Sequence, residues 1–172
     1  MKIILINPPV YGENWHITSC SGGRWPSISP GPIAKKPLET QKDYYYAVFP
    51  FPLAFTSAIL KEQGNKTKVL DCIALNLSYK EMYERIKEFN PDKVILESCA
   101  VSFEQDLKIL ENLHDFYNYK VCIVGSIVRA KLSEIKQLKW LECVEGNYIS
   151  SFHKTDEGGE HSLPAPDRDD SV

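Results

Sequence analysis

The chain has 172 residues, of which 43% are hydrophobic and 25% charged, a composition that fits one globular domain with an ordinary core. Twenty basic residues stand against 23 acidic ones, giving a net charge of −3, so no basic surface points to nucleic acid or an anionic membrane. The five cysteines, Cys20, Cys72, Cys99, Cys122 and Cys143, are odd in number and mostly lie within apolar runs, a pattern expected of a reducing, cytoplasmic setting.

The amino terminus, MKIILINPPV, offers a first strand at Ile3 to Ile6 that Asn7, Pro8 and Pro9 stop. It is too short for a signal or membrane segment. Residues 10 to 49 show no persuasive periodicity, and a connection of that length is unusual inside a compact domain. Trp15, Trp25, the run Tyr44 to Tyr46 and Phe49 give it more aromatic character than disorder carries, so it is expected to cap the carboxyl edge of a sheet.

From residue 50 onward, apolar runs alternate with helical periodicity. Strands are expected at Lys68 to Leu70, Val94 to Leu96, Val121 to Val124 and, more weakly, Leu141 to Val144. Leu53, Ile59 and Leu60 mark a first helix, and Met82, Tyr83, Ile86 and Phe89 a second. Leu107, Leu110, Leu113 and Phe116 mark a third, and Leu132, Ile135 and Leu138 a short fourth. Pro52 suits a first-turn position and Gly64 a helix stop, while Ser78 with Glu81 and Ser102 with Gln105 read as capping boxes. The tail from residue 150, with two adjacent glycines, two prolines and several acids, has linker composition; residues 1 to 149 form the expected domain.

This alternation predicts an α/β, flavodoxin-like (Rossmann-like) fold with a five-stranded parallel sheet of order 2-1-3-4-5. Ligand sites in that order lie at the carboxyl ends of strands one and three, where residues 7 to 10 and 97 to 102 would meet. Small residues there, Ser98, Cys99, Ala100, Val101 and Ser102, would let a ligand approach the backbone, and Gly125 with Ser126 repeats the pattern after strand four. An ordinary strand-to-helix turn with a serine cap explains Ser102 equally well.

Taken in order, KIILINPP at 2 to 9, GGRWPS at 22 to 27, FPLAFTSAILKEQGNKTKVLD at 51 to 71, IKEFNPDKVILES at 86 to 98 and LPAPDRD at 163 to 169 resemble one known domain type. It is the amino-terminal cobalamin-binding domain of cobalamin-dependent radical S-adenosylmethionine enzymes. The resemblance implies bound cobalamin, expected base-off and His-off, because the DxHxxG motif that supplies a lower histidine ligand is absent and His16, His114, His153 and His161 stand elsewhere. It implies contacts from Asn7, Pro8, Ser98, Cys99, Ala100, Val101, Ser102, Gly125, Ser126 and Gly146, with Arg24 and Trp25 packing on the corrin. The nucleotide tail's phosphate would favour a helix amino terminus.

Radical enzymes of this family hold an iron–sulfur cluster through CxxxCxxC, a motif this sequence lacks. The resemblance therefore implies that cluster and S-adenosylmethionine belong to a separate radical domain, in cis or in trans, and that the chain is a fragment, a truncated product or half of a split enzyme. It is not expected to be catalytic alone. The complete enzyme would perform radical chemistry, often methyl transfer. A flavodoxin-like domain for another nucleotide-type ligand and a non-catalytic interaction module are the alternatives; a phosphoacceptor receiver is disfavoured because Asn7-Pro8-Pro9 and Glu97-Ser98 occupy its acidic positions.

Overall fold

Ile3, Ile4, Leu5 and Ile6 are all buried, which a strand achieves only where both faces of its sheet are covered. They belong to β1 (Lys2–Asn7), the centre of the sheet in a computed structural model that describes residues 1–9, 26–27, 46–47, 50–75, 77–100 and 102–144. Short strands β2 (Pro26–Ser27) and β3 (Tyr46–Ala47) pair antiparallel, a ladder that the aperiodic sequence of this connection does not announce. The expected cap over residues 10 to 49 otherwise lies outside the described residues, as do residues 145 to 149 and the tail from residue 150.

The main sheet continues with β4 (Lys66–Asp71), β5 (Lys93–Glu97), β6 (Lys120–Val124) and β7 (Leu141–Cys143). Its order is β4-β1-β5-β6-β7 and every neighbouring pair is parallel, the flavodoxin-like 2-1-3-4-5 arrangement. Between the strands lie α1 (Phe51–Glu62), α2 (Tyr79–Phe89), α3 (Phe103–Tyr117) and two single turns, α4 (Ile127–Ala130) and α5 (Leu132–Ile135). The expected short fourth helix is the single turn α5, which ends at Ile135 before Leu138, and α4 is a further turn ahead of it. Among the described residues no helix is long and apolar enough to cross a membrane.

Local chemistry accounts for most helix ends. Pro52 sits in the first turn of α1, and Gly64 follows its end at φ +80°, where the Gly64 and Asn65 amides bond back to Lys61 and Leu60 in a Schellman arrangement. Ser78 and Glu81 form the reciprocal capping box of α2. Asn90 and Asn118 take the left-handed conformation after α2 and α3.

Side chains alternate across the strands into two cores. Ile4, Ile6, Val94, Leu96, Val121 and Ile123 pack with Met82, Ile86, Ile109, Leu110 and Ile135, whereas Ile3, Leu5, Val69, Ile95, Cys122 and Val124 pack with Leu53 and Leu60 of α1.

Two details of the sequence reading fail in α3. Leu110 and Leu113 are buried and Leu107 packs against the core as expected, but Phe116 is 79% exposed, and the buried stripe runs instead through Phe103, Asp106 and Ile109. The Ser102–Gln105 capping box is absent as well: Ser102 makes no side-chain cap, because its hydroxyl turns inward to Asp106. Truncating Ile109→Ala should cost about 2–5 kcal/mol, while Phe116→Ser should stay within about 0.5 kcal/mol of the parent. Urea unfolding midpoints compared at equal slope check both values; equal losses would contradict the burial of Ile109 and the exposure of Phe116.

Candidate functional site

A parallel sheet covered on both faces presents its carboxyl edge as the natural place for polar groups, and in a 2-1-3-4-5 sheet the crossovers diverge between the first and third strands. Here that switch point lies between β1 and β5. Parallel register pairs Asn7 with Asp71 and Ile6 with Leu96, so one residue further along, Asn7 stands beside Glu97. Asp71, Asn7 and Glu97 continue the alternation of Val69, Leu5 and Ile95 and share the face that α1 covers. A polar row therefore crosses three adjacent strands, with exposures of 1%, 1% and 6%.

The geometry of Asp71 orients this row. Its Oδ1 accepts the amide N–H groups of Ile73 at 3.1 Å and Ala74 at 3.2 Å, tying down the turn after β4. The same oxygen accepts Asn7 Nδ2–H at 2.9 Å. An oxygen already receiving two backbone donors can only be an acceptor, so Asn7 must turn its amide nitrogen toward β4 and its carbonyl away. Asn7 Oδ1 is buried and has no hydrogen-bond partner among the described residues. Burial pushes the Asp71 carboxyl above its ordinary value of 3.8, against the opposing influence of Ala74, Asn7 and Ile73.

A second polar cluster follows β5. Asp106, fully buried on α3, accepts the hydroxyl hydrogens of Ser98 at 2.7 Å and Ser102 at 2.8 Å through the same Oδ2. Since the Ser102 hydrogen goes to Asp106, the 3.1 Å contact with Cys99 is an S–H donated to the serine oxygen. Both serine hydrogens are thus engaged within the protein. The Ser98 amide is engaged too, donating to Val124 O at 2.8 Å and extending the β5–β6 ladder past the strand end.

Gly125 completes this junction. Its φ is +115°, and a Cβ would lie 2.2 Å from Ser98 O and 3.1 Å from Ser98 N. The lack of a side chain is therefore accounted for by the approach of two loops of this chain. Ala100 and Ser126 are exposed at the same edge, whereas Pro8 is buried beside Asn7. Pro9 O accepts the Tyr79 hydroxyl at 3.3 Å, joining the end of β1 to α2.

Of the residues singled out from sequence, the structure gathers Asn7, Pro8, Ser98, Cys99, Ala100, Ser102, Gly125 and Ser126 at the carboxyl edge of the sheet and its following loops. Arg24, Trp25, Val101 and Gly146 lie outside the described residues. Asp71 and Asp106 were missed, and Glu97 fell within the 97 to 102 stretch expected at the site without being given a role. Asp71 and Glu97 close apolar runs, a weak signal that gains meaning only with the strand register, and Asp106 sits in an acidic helix start that gives no hint of burial.

His114 occupies the last turn of α3, its ring tilted at 34° against Trp140 with centroids 5.4 Å apart, and bonded to Asp115 at 2.6 Å. That turn leads into the beginning of β6, at the opposite edge of the sheet. Cys122 is buried in the core, which drives its thiol up to about 12 and makes it a packing residue. Among the described residues no group of three His, Cys, Asp or Glu side chains is placed to hold a metal ion. No protein-family model, curated protein or solved structure matches the chain.

The raised Asp71 carboxyl has a defined pH consequence. The native state keeps a proton that the unfolded chain releases near its ordinary value of 3.8, so this group's contribution is fullest below that value and is lost as pH rises through the folded one. Asp71→Asn removes the titration. From about pH 4 to about pH 7 the stability of the wild-type chain relative to Asp71→Asn should fall, read from paired unfolding curves. A constant or rising difference would contradict the environment described for Asp71.

Proposed function

We propose that this chain is a cobalamin-binding domain working with a radical S-adenosylmethionine domain that lies in another part of the same protein or in a partner. One observation carries the reading. The fold brings the end of β1 and the loop after β5, which lie in or next to segments of the family resemblance, to the switch point of a 2-1-3-4-5 sheet.

The site chemistry is compatible with a corrinoid. Cobalamin is a broad, partly apolar ring edged by carboxamide arms, and it suits an open sheet edge with buried polar groups below. Asn7 Oδ1 offers an acceptor without a protein partner, and Ala100 and Ser126 are small and exposed near the same edge. With His114 directed to the opposite end of its helix, no described histidine is available to replace the nucleotide base at cobalt. The base-off, His-off state remains the form we propose.

When bound, cobalamin would supply a cobalt centre able to carry a methyl group, and the radical domain would supply cluster and S-adenosylmethionine. This chain's own contribution would be to hold and orient the corrinoid. We place the domain in the cytoplasm, consistent with its cysteine chemistry.

Equilibrium dialysis of the 172-residue chain against hydroxocobalamin tests the proposal. Saturable retention of corrinoid absorption at one equivalent is expected, with no comparable retention of flavin mononucleotide. Retention of the flavin and not of the corrinoid would replace this reading with that of a flavodoxin-like nucleotide domain.

A further inference from the structure

Anionic ligands in α/β folds are held by N–H and O–H donors, and the end of the sheet at β4, β1 and β5 offers few. Asp71 Oδ1 already takes three donors, and Asp106 takes both hydroxyl hydrogens of the loop after β5. Glu97 adds another carboxyl group to the row. Acceptors dominate, and a phosphate placed beside them would find few donors to replace those it loses on leaving water.

Within that row Asn7 Oδ1 is a buried amide oxygen without a hydrogen-bond partner among the described residues. The amide cannot turn over to satisfy it, because its nitrogen is required by Asp71, whose oxygen is committed as an acceptor by Ile73 and Ala74. A buried carbonyl without a donor is costly to maintain. The geometry points to Asn7 Oδ1 as a specificity-determining acceptor for a neutral N–H donor of the ligand, a primary carboxamide rather than a phosphate or carboxylate.

This inference rests on the cobalamin reading, and it assigns a peripheral carboxamide of the corrin to the β1 end of the site. A carboxylate in place of that amide would lose the donated hydrogen bond and set acceptor against acceptor. The nucleotide phosphate would then lie away from this row. The sequence expectation for the phosphate, a helix amino terminus, is not met by these three residues, which are all strand ends.

Two arms of one binding experiment decide the matter. Wild-type chain and Asn7→Leu are titrated with hydroxocobalamin, and wild type is also titrated with the separate hydroxocobalamin monocarboxylic acids, each carrying a carboxylate in place of one peripheral carboxamide. Asn7→Leu should bind about tenfold more weakly while retaining a cooperative unfolding transition, and one monocarboxylic acid should show a loss of about the same size or larger. Unchanged affinity in the folded variant, or equal affinity of wild type for hydroxocobalamin and all its monocarboxylic acids, would overturn the role of Asn7 and leave cobalamin binding intact. Should Asn7→Leu fail to fold, the monocarboxylic acids alone decide. No binding of hydroxocobalamin by the wild-type chain would overturn both readings together.

Discussion

The hydrogen-bond clamp on Asp71 governs the chemistry of this edge. One carboxylate oxygen receives two backbone amides from the turn after β4 and the side-chain amide from the end of β1. It closes the turn, holds adjacent strand ends together and dictates which end of the Asn7 amide faces the switch point. Such a clamp requires burial, and burial in turn raises the carboxyl's affinity for a proton. Structure and electrostatics at this corner have one cause.

A similar logic operates on the other side of the switch point. Asp106 reaches from α3 to collect the hydroxyls of Ser98 and Ser102, so the loop after β5 is fixed by its own helix. Gly125 then brings the loop after β6 against the Ser98 backbone, closer than any side chain permits. Residues that looked like ligand contacts in the sequence thus serve first to build the loops. They leave a floor in which the acceptor of Asn7 has no hydrogen-bond partner among the described residues.

Much of the fold was legible because the forces that shape it are local or periodic. A run such as Ile3 to Ile6 has no polar face, so it suits a central parallel strand, and Ser78 with Glu81 or Gly64 after α1 act within one turn of themselves. The face of α3 was legible at Leu110 and Leu113, but Asp106 was not placed on it, because a charged residue can occupy a core only through partners, here Ser98 and Ser102, that periodicity does not reveal. The ends of strands one and three were expected to meet, but the place of Asp71 beside Asn7 was hidden. These residues are separated widely in sequence and become neighbours only through parallel register.

The central claim is that a corrinoid occupies the carboxyl edge at the β1–β5 switch point, above Asn7. A crystal structure of the chain grown with hydroxocobalamin tests it most directly. The account predicts corrin density across the ends of β1 and β5, with a carboxamide nitrogen within hydrogen-bond distance of Asn7 Oδ1. Corrin density at another surface, with the switch point unchanged, would contradict it.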